Sequence, residues 1–344
     1  PQRSAPGSSA PAGAPRSGEG CARGQTPAPR RSRVRTDERS LALRQRSRAE
    51  SPTRRGAFGA ALAAMAGAAG EEQVGAVQVR LEDVPDQSLQ DALYLVKERK
   101  YAEAEASFSS IIRERPEFAS AWSNRAQARA ELGRYEEAAA DFGRAIELAP
   151  EAPIPRANRA NALLRLYDQR GGPELLTAAR VDCIQAVKLD PREETAYAFL
   201  GEAWRRDALR SDERNFVVVK WRRSADAYRE ASEAAPRVPT FPLRRAMAAF
   251  EAGDDAEARA LLSALVLRYA AYAEAGNALA AVAADSGDFA TAEDALARAA
   301  RYDETGQEIA TRRPSEYAVA REWTPRLSKA FEKFCAQGRL LTAR

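Results

Sequence analysis

The sequence predicts an all-α solenoid of stacked helical hairpins, preceded by a disordered leader and closed by a C-terminal capping helix. Three observations carry this. Residues 119–152 hold a skeleton of Trp122, Ala126, Gly133, Tyr135, Ala138, Phe142, Ala145 and Pro150 whose elements recur at a 34-residue spacing. The charge divides between a basic N-terminal stretch and a mildly acidic remainder. Histidine is absent and there are three cysteines, Cys21, Cys183 and Cys335, which removes the commonest general base and metal ligand and leaves no CxxC pair.

The leader comes first in the chain. Residues 1–70 hold 13 Arg, no Lys and four acidic residues, a net charge of +9; the rest holds 40 basic and 45 acidic residues, a net charge of −5. The overall pI near 9.0 therefore belongs to the leader. Charge that recognises nucleic acid must sit on the folded face that meets the phosphates, so no nucleic-acid partner is expected. Residues 1–50 are rich in Ala, Pro, Ser, Gly and Arg and cannot bury a core, so disorder is expected. That composition is also the one of an organelle transit peptide. In residues 51–70, Arg54 and Arg55 precede a 14-residue uncharged run that ends in the small-x-small pattern of Ala66 and Ala68. A helix of that length spans about 21 Å, short of the ~30 Å hydrocarbon core, so no membrane span is expected in the processed chain.

The arginine pair and short apolar run resemble a twin-arginine signal. Together with the transit-like segment they resemble the bipartite presequence of thylakoid-lumen proteins of plants and algae. That resemblance implies a chloroplast protein delivered to the thylakoid lumen. The chloroplast stroma and the bacterial periplasm are the alternatives, since compositional bias alone also yields Ala-Gly runs and Arg pairs.

Residues 71–84 read as a linker. The 34-residue pattern then tiles as 85–118, 119–152, 153–193, 194–238, 239–272 and 273–306. The first copy carries Ala92, Tyr101, Ala104, Phe108 and Pro116, with Arg99 in the turn position of Gly133. The third copy has an insertion at residues 168–174 (DQRGGPE), read as a longer turn, and Cys183 in the core slot of Phe142. The fourth has Gly201 and an insertion at residues 205–220. Its apolar run Phe216–Val219 is expected to be buried in a longer second helix, the alternative being a projecting element that meets a partner. Each copy reads as two antiparallel helices. Ala126 and Ala138 must be small where the helices cross. Gly133 ends the first helix in a left-handed conformation. Pro150 stops the second, because it lacks an N–H and would clash with the preceding turn. Trp122, Tyr135 and Phe142 fill the space between units.

This pattern resembles the tetratricopeptide repeat (TPR) family over residues 85–306. The resemblance implies a non-catalytic scaffold without cofactor or metal, whose concave groove binds an extended or helical segment of a protein client. Photosynthetic-complex assembly, stability or repair is the role it implies in a thylakoid setting. The oligomeric state is not readable. Residues 307–344 are expected to form the capping region. There Leu327, Phe331 and Phe334 share one face of a helix over Pro325–Gln337, entered through Tyr317 and Trp323, that should pack on the sixth repeat. Such a tail is similar to that of a group of cyanobacterial and chloroplast TPR proteins, and a generic solenoid cap explains it equally.

The candidate groove residues lie on the first helix of each pair: Asn124, Gln127 and Glu131, then Asn158, Asn161 and Arg165, then Glu202, Arg205 and Arg206, with Ser123, Arg244 and Met247 nearby. Amides can pair with a peptide backbone and Arg can hold a carboxylate bidentately. A solvated face with intrahelical pairs is the alternative. The Lys–Asn–Arg clamp of heat-shock co-chaperones is missing, since its matching places hold Leu89, Leu93, Ser123 and Gln127. No residue is assigned a catalytic role. Cys183 falls in a core slot, and Glu136-Glu137 and Glu193-Glu194 fall in turns or first turns, where acids favour the helix dipole.

Overall fold

The computed structural model describes residues 86–337, apart from 212–213, 304–305 and 307–309. The leader, including Arg54, Arg55, Ala66 and Ala68, and the whole of the linker reading, residues 71–84, lie outside the described residues.

The helices run in pairs. They are α1 (Gln87–Lys97) and α2 (Tyr101–Glu114), α3 (Ala119–Glu131) and α4 (Tyr135–Leu148), α5 (Pro153–Arg170) and α6 (Pro173–Leu189), α7 (Glu194–Leu209) and α8 (Arg214–Ala234), α9 (Thr240–Ala252) and α10 (Asp255–Arg268), and α11 (Ala273–Asp285) and α12 (Phe289–Ala300). Helices α13 (Pro314–Ala320) and α14 (Pro325–Ala336) lie further along the chain. Among the described residues there is no strand.

Gly133, Gly253 and Gly287 turn their hairpins at φ 77°, 87° and 82°, the left-handed region that glycine enters freely. Arg99 makes the same turn in the first pair at φ 58°. A Cβ there costs on the order of 1 kcal/mol, which the hairpin absorbs. Ala126, Ala138 and Ala145 are fully buried, as is Phe142, and Cys183 occupies the equivalent core slot in the third pair.

Both insertions lengthen helices. Asp168–Arg170 extend α5, and Gly171 and Gly172 make the turn into α6. α7 and α8 reach 16 and 21 residues. The apolar run on α8 is not buried as expected: Phe216 is 59% exposed and Val219 47%. The physical reason is length. This hairpin is longer than the one that follows it, whose helices have 13 and 14 residues, and within the run Val217 and Val218 are half-buried, Val217 against Ala208, Trp221 and Ala248. An open hollow of about 530 Å³ beside it is lined by Tyr167, Leu176, Arg210, Phe216 and Lys220.

Packing sets the curvature. At most junctions a first helix touches the first helix of the next pair, while among the described residues neighbouring second helices make no comparable contact. The first helices therefore line the inside of the array. Arginine–aspartate staples tie the first helix to the second in the second and third pairs: Arg125 to Asp141 at 2.8 Å, and Arg159 to Asp182 at 2.6 Å. Both aspartates are buried, where a paired carboxylate is tolerated and an unpaired one is not.

Candidate protein-binding groove

The inner face is built around α7. Glu202, Arg205 and Arg206 sit three and four residues apart and so share one face of the helix. Arg205 donates to Glu202 at 2.9 Å, and Arg206 donates to Glu202 as well. Arg206 also grips Asp168 of the preceding repeat with two hydrogen bonds, at 2.8 and 2.9 Å. Tyr228 on α8 donates its hydroxyl to Glu202. That reach depends on Gly201, because a Cβ there would lie 2.8 Å from the Tyr228 ring. Burial alone would raise the Glu202 carboxyl, yet Arg205, Arg206 and Arg244, with the Tyr228 hydroxyl, hold it well below the usual carboxylate range.

The C-terminal segment packs onto this face. The sequence places it as a cap on the sixth repeat, and α14 does lie on α11. It also packs on α9, the first helix of the fifth repeat. The contact is therefore with the inner, first-helix surface. Leu327, Phe331 and Phe334 are buried there in one cluster with Leu243, Met247 and Phe250. Tyr317 and Trp323 complete it, with ring centroids 5.5 Å apart, edge to face.

Polar groups on the groove engage the segment's backbone and side chains. Arg244 donates to the carbonyls of Arg321 and Glu322 at 3.3 and 3.1 Å. Glu251 accepts from the amides of Arg326 and Leu327 at 2.5 and 3.3 Å. Those amides lie in the first turn of α14, where a helix has no internal acceptors. The Thr324 side chain makes no cap hydrogen bond, so Glu251 caps α14 from another repeat. Glu274 on α11 accepts from the Trp323 indole at 3.2 Å. Asn277 donates to the Tyr317 hydroxyl at 2.9 Å. Arg326 lies 3.8 Å over the Phe250 ring and pairs with Asp255 at 2.6 Å. Burial raises the Glu251 and Glu274 carboxyls above their ordinary value against the donors around them.

The sequence-derived groove residues divide into two groups. Glu202, Arg205 and Arg206 come together with Arg244. Asn124, Gln127, Asn158 and Asn161 are buried, while Glu131 is half-buried and Arg165 exposed. Gln127 donates to Glu131 at 2.9 Å. Burial raises the Glu131 carboxyl, with Arg99 and Arg165 opposing. Sequence reasoning missed Glu251 and Glu274, whose acidic side chains at exposed-looking helix positions gave no signal. It also missed the partner that occupies this face. Among the described residues no group of His, Cys, Asp and Glu could hold a metal ion, and no helix is long and apolar enough to cross a membrane. Burial pushes the Cys183 thiol far up, and the Cys335 thiol up to about 12.

This geometry defines a class: a helical-hairpin repeat scaffold whose inner face holds a peptide segment. A family model, the tetratricopeptide repeat, matches residues 89–153. The solved structure titled for the functional characterisation of PilF from Pseudomonas aeruginosa is 14% identical, with 73% of this chain and 96% of that chain covered and a TM-score of 0.51. The C-terminal part of a TPR repeat-containing protein from Cytophaga hutchinsonii is 13% identical, with 74% and 96% covered and a TM-score of 0.52. A thermophilic TPR protein of Thermus thermophilus is 22% identical over 59% of this chain and 99% of its own, at a TM-score of 0.43. No curated protein matches the chain. The chain is thus a TPR-like all-α solenoid, and tetratricopeptide repeats are protein-interaction modules.

Proposed function

We propose that this chain is a non-catalytic scaffold that holds a segment of a client protein on its concave face. One observation carries the reading: the inner face of repeats five and six already engages a peptide segment by its backbone carbonyls, its amides and its side chains. That is how an extended-to-helical ligand is recognised. The finer reading places the scaffold in the thylakoid lumen, assisting assembly, stability or repair of photosynthetic complexes. The Arg54-Arg55 signal, the short apolar run and the transit-like residues 1–50 support it. An exported bacterial-type scaffold for envelope assembly, or a stromal adaptor, would share the same groove.

The test is a photo-crosslinking residue placed at the exposed Arg165 on first helix α5, compared with one at Leu267 on second helix α10. A client captured from position 165 and not from 267 supports concave binding. Capture from 267 alone overturns it. Import of the precursor into isolated chloroplasts tests the compartment. A protease-protected product that starts near Ala69 and disappears when the thylakoid proton gradient collapses is expected; a stromal product overturns the lumenal reading.

A further inference from the structure

The two insertions that break the 34-residue rhythm, residues 168–174 and 205–220, meet at one place. The first supplies Pro173, and the second supplies Asp207, Arg210, Ser211, Phe216 and Lys220, to the wall of the open hollow of about 530 Å³. Tyr167 and Leu176 complete it. These residues lie at the end of α5, the start of α6, the end of α7 and the start of α8. The hollow therefore sits at the turns of the third and fourth hairpins and not along the groove.

One side of it is apolar. Leu176 is buried and Phe216 is exposed. Val219 and Lys220 follow Phe216 by three and four residues and so share its face of α8. Val219 is exposed as well, which carries the apolar surface beyond the hollow.

The polar side holds donors with nothing to donate to. Asp207 is the one acid in the wall, and it is taken: Arg180 donates to one oxygen and Lys220 to the other, each at 2.8 Å. Arg210 is exposed, lies 5.7 Å over the Tyr167 ring and pairs with no carboxylate among the described residues. Gly171 leaves room for it, since a Cβ there would stand 3.2 Å from the guanidinium. Tyr167 is 7% exposed, and its hydroxyl is buried without a hydrogen-bond partner among the described residues. A buried phenol ordinarily finds one.

We propose that this hollow is a second docking site, separate from the groove, for a partner-protein segment that carries an aromatic or branched apolar side chain beside a carboxylate. The apolar side chain lies on Phe216 and Leu176. The carboxylate accepts from Arg210 and from the Tyr167 hydroxyl, which supplies the acceptor that both lack. An enclosed pocket buries most of a small ligand. This one is open and its apolar surface runs on to Val219, so it fits a polypeptide.

The test pans a phage-displayed library of random dodecapeptides on the full chain. The most enriched sequence is then made as a fluorescent peptide and titrated by anisotropy. Enriched sequences should pair an acid with an aromatic or branched apolar residue. Arg210→Glu should weaken the peptide about tenfold or more. Tyr167→Phe should weaken it about tenfold, because it removes a hydrogen bond to a charged group. That variant deletes an unpaired hydroxyl and opens no cavity, so a merely structural tyrosine predicts unchanged binding. Arg165→Glu, on the groove, should leave the affinity as it is. No enrichment, enrichment of basic sequences, or indifference to Arg210→Glu or Tyr167→Phe overturns the proposal. So does loss on Arg165→Glu alone, which would return the peptide to the groove. Sedimentation of the parent as a dimer that Phe216→Ser splits would assign the surface to a second copy, and displacement of the peptide by an equal concentration of phenylacetate would assign it to a small acid; either overturns it. Client capture at position 165 reports on the groove alone, so the two readings stand or fall separately.

Discussion

Replacing Phe331 with Ala should release the C-terminal segment while leaving the first repeats folded. The Phe331 ring is fully buried. It meets Trp323 edge-on at 5.3 Å and Tyr317 at 6.3 Å between centroids. Truncating a buried Phe costs about 3–5 kcal/mol, a range that includes the loss of such aromatic pairs at about 0.5–1.5 kcal/mol each. α14 has 12 residues, and a helix of that length is marginal in water without packing. Its order therefore derives from α9 and α11, and a loss of that size should undock it. Native-state amide hydrogen exchange reads the effect directly. Protection of the α14 amides should fall by two orders of magnitude or more, since about 1.4 kcal/mol is a factor of ten. In a stacked array each unit contacts only its neighbours, so protection in α3 and α4 should hold. Unchanged protection in α14, or an equal loss across all repeats, would refute the argument.

Four further outcomes are expected. Gly201→Ala drives a methyl into the Tyr228 ring and should cost about 1–3 kcal/mol in urea unfolding; an unchanged midpoint contradicts the close approach. Glu202→Gln leaves three arginines short of their shared carboxylate and should cost about 3 kcal/mol at pH 7. Because the folded-state pKa of Glu202 is depressed, its contribution is present above the ordinary value of about 4.3 and is lost as pH falls below it; the Gln variant should show a flatter acid limb in thermal melts. Arg99→Gly removes the Cβ from a left-handed turn and should stabilise the chain by about 1 kcal/mol, with a lowered melting temperature as the contrary result. Cys183, fully buried, should react with a maleimide only when the chain unfolds; rapid labelling of the native protein would show that the third repeat is open.

The hairpins were legible because their physics is local and repeated. Small residues at crossings, glycine at turns and proline past helix ends leave a 34-residue signature, and the helix pairs fall within those windows. Cys183 was legible as core from its register alone. Arg99 shows the limit of residue identity: the turn keeps its left-handed geometry after the glycine that usually signals it is gone. The burial of Leu327, Phe331 and Phe334 could be read from their spacing, but the surface they meet could not. Periodicity says which face of a helix is covered and not by what. Phe216 and Val219 failed for a related reason, since apolar character carries no information about how long its hairpin is beside the next one. The Arg205–Arg244–Glu322 corner joins residues far apart in sequence, and such contacts leave no periodic trace.

The central claim is that residues 321–327 lie on the inner face of repeats four to six. Paired cysteines joined by a short bis-maleimide measure this most directly. With Glu322→Cys fixed, a partner cysteine at Arg205 on α7 is compared with one at Leu267, which is 77% exposed on second helix α10. The account predicts a fast intramolecular link from 322 to 205, seen as a mobility shift, and none from 322 to 267. A link to 267 instead, or equal rates to both, would contradict it.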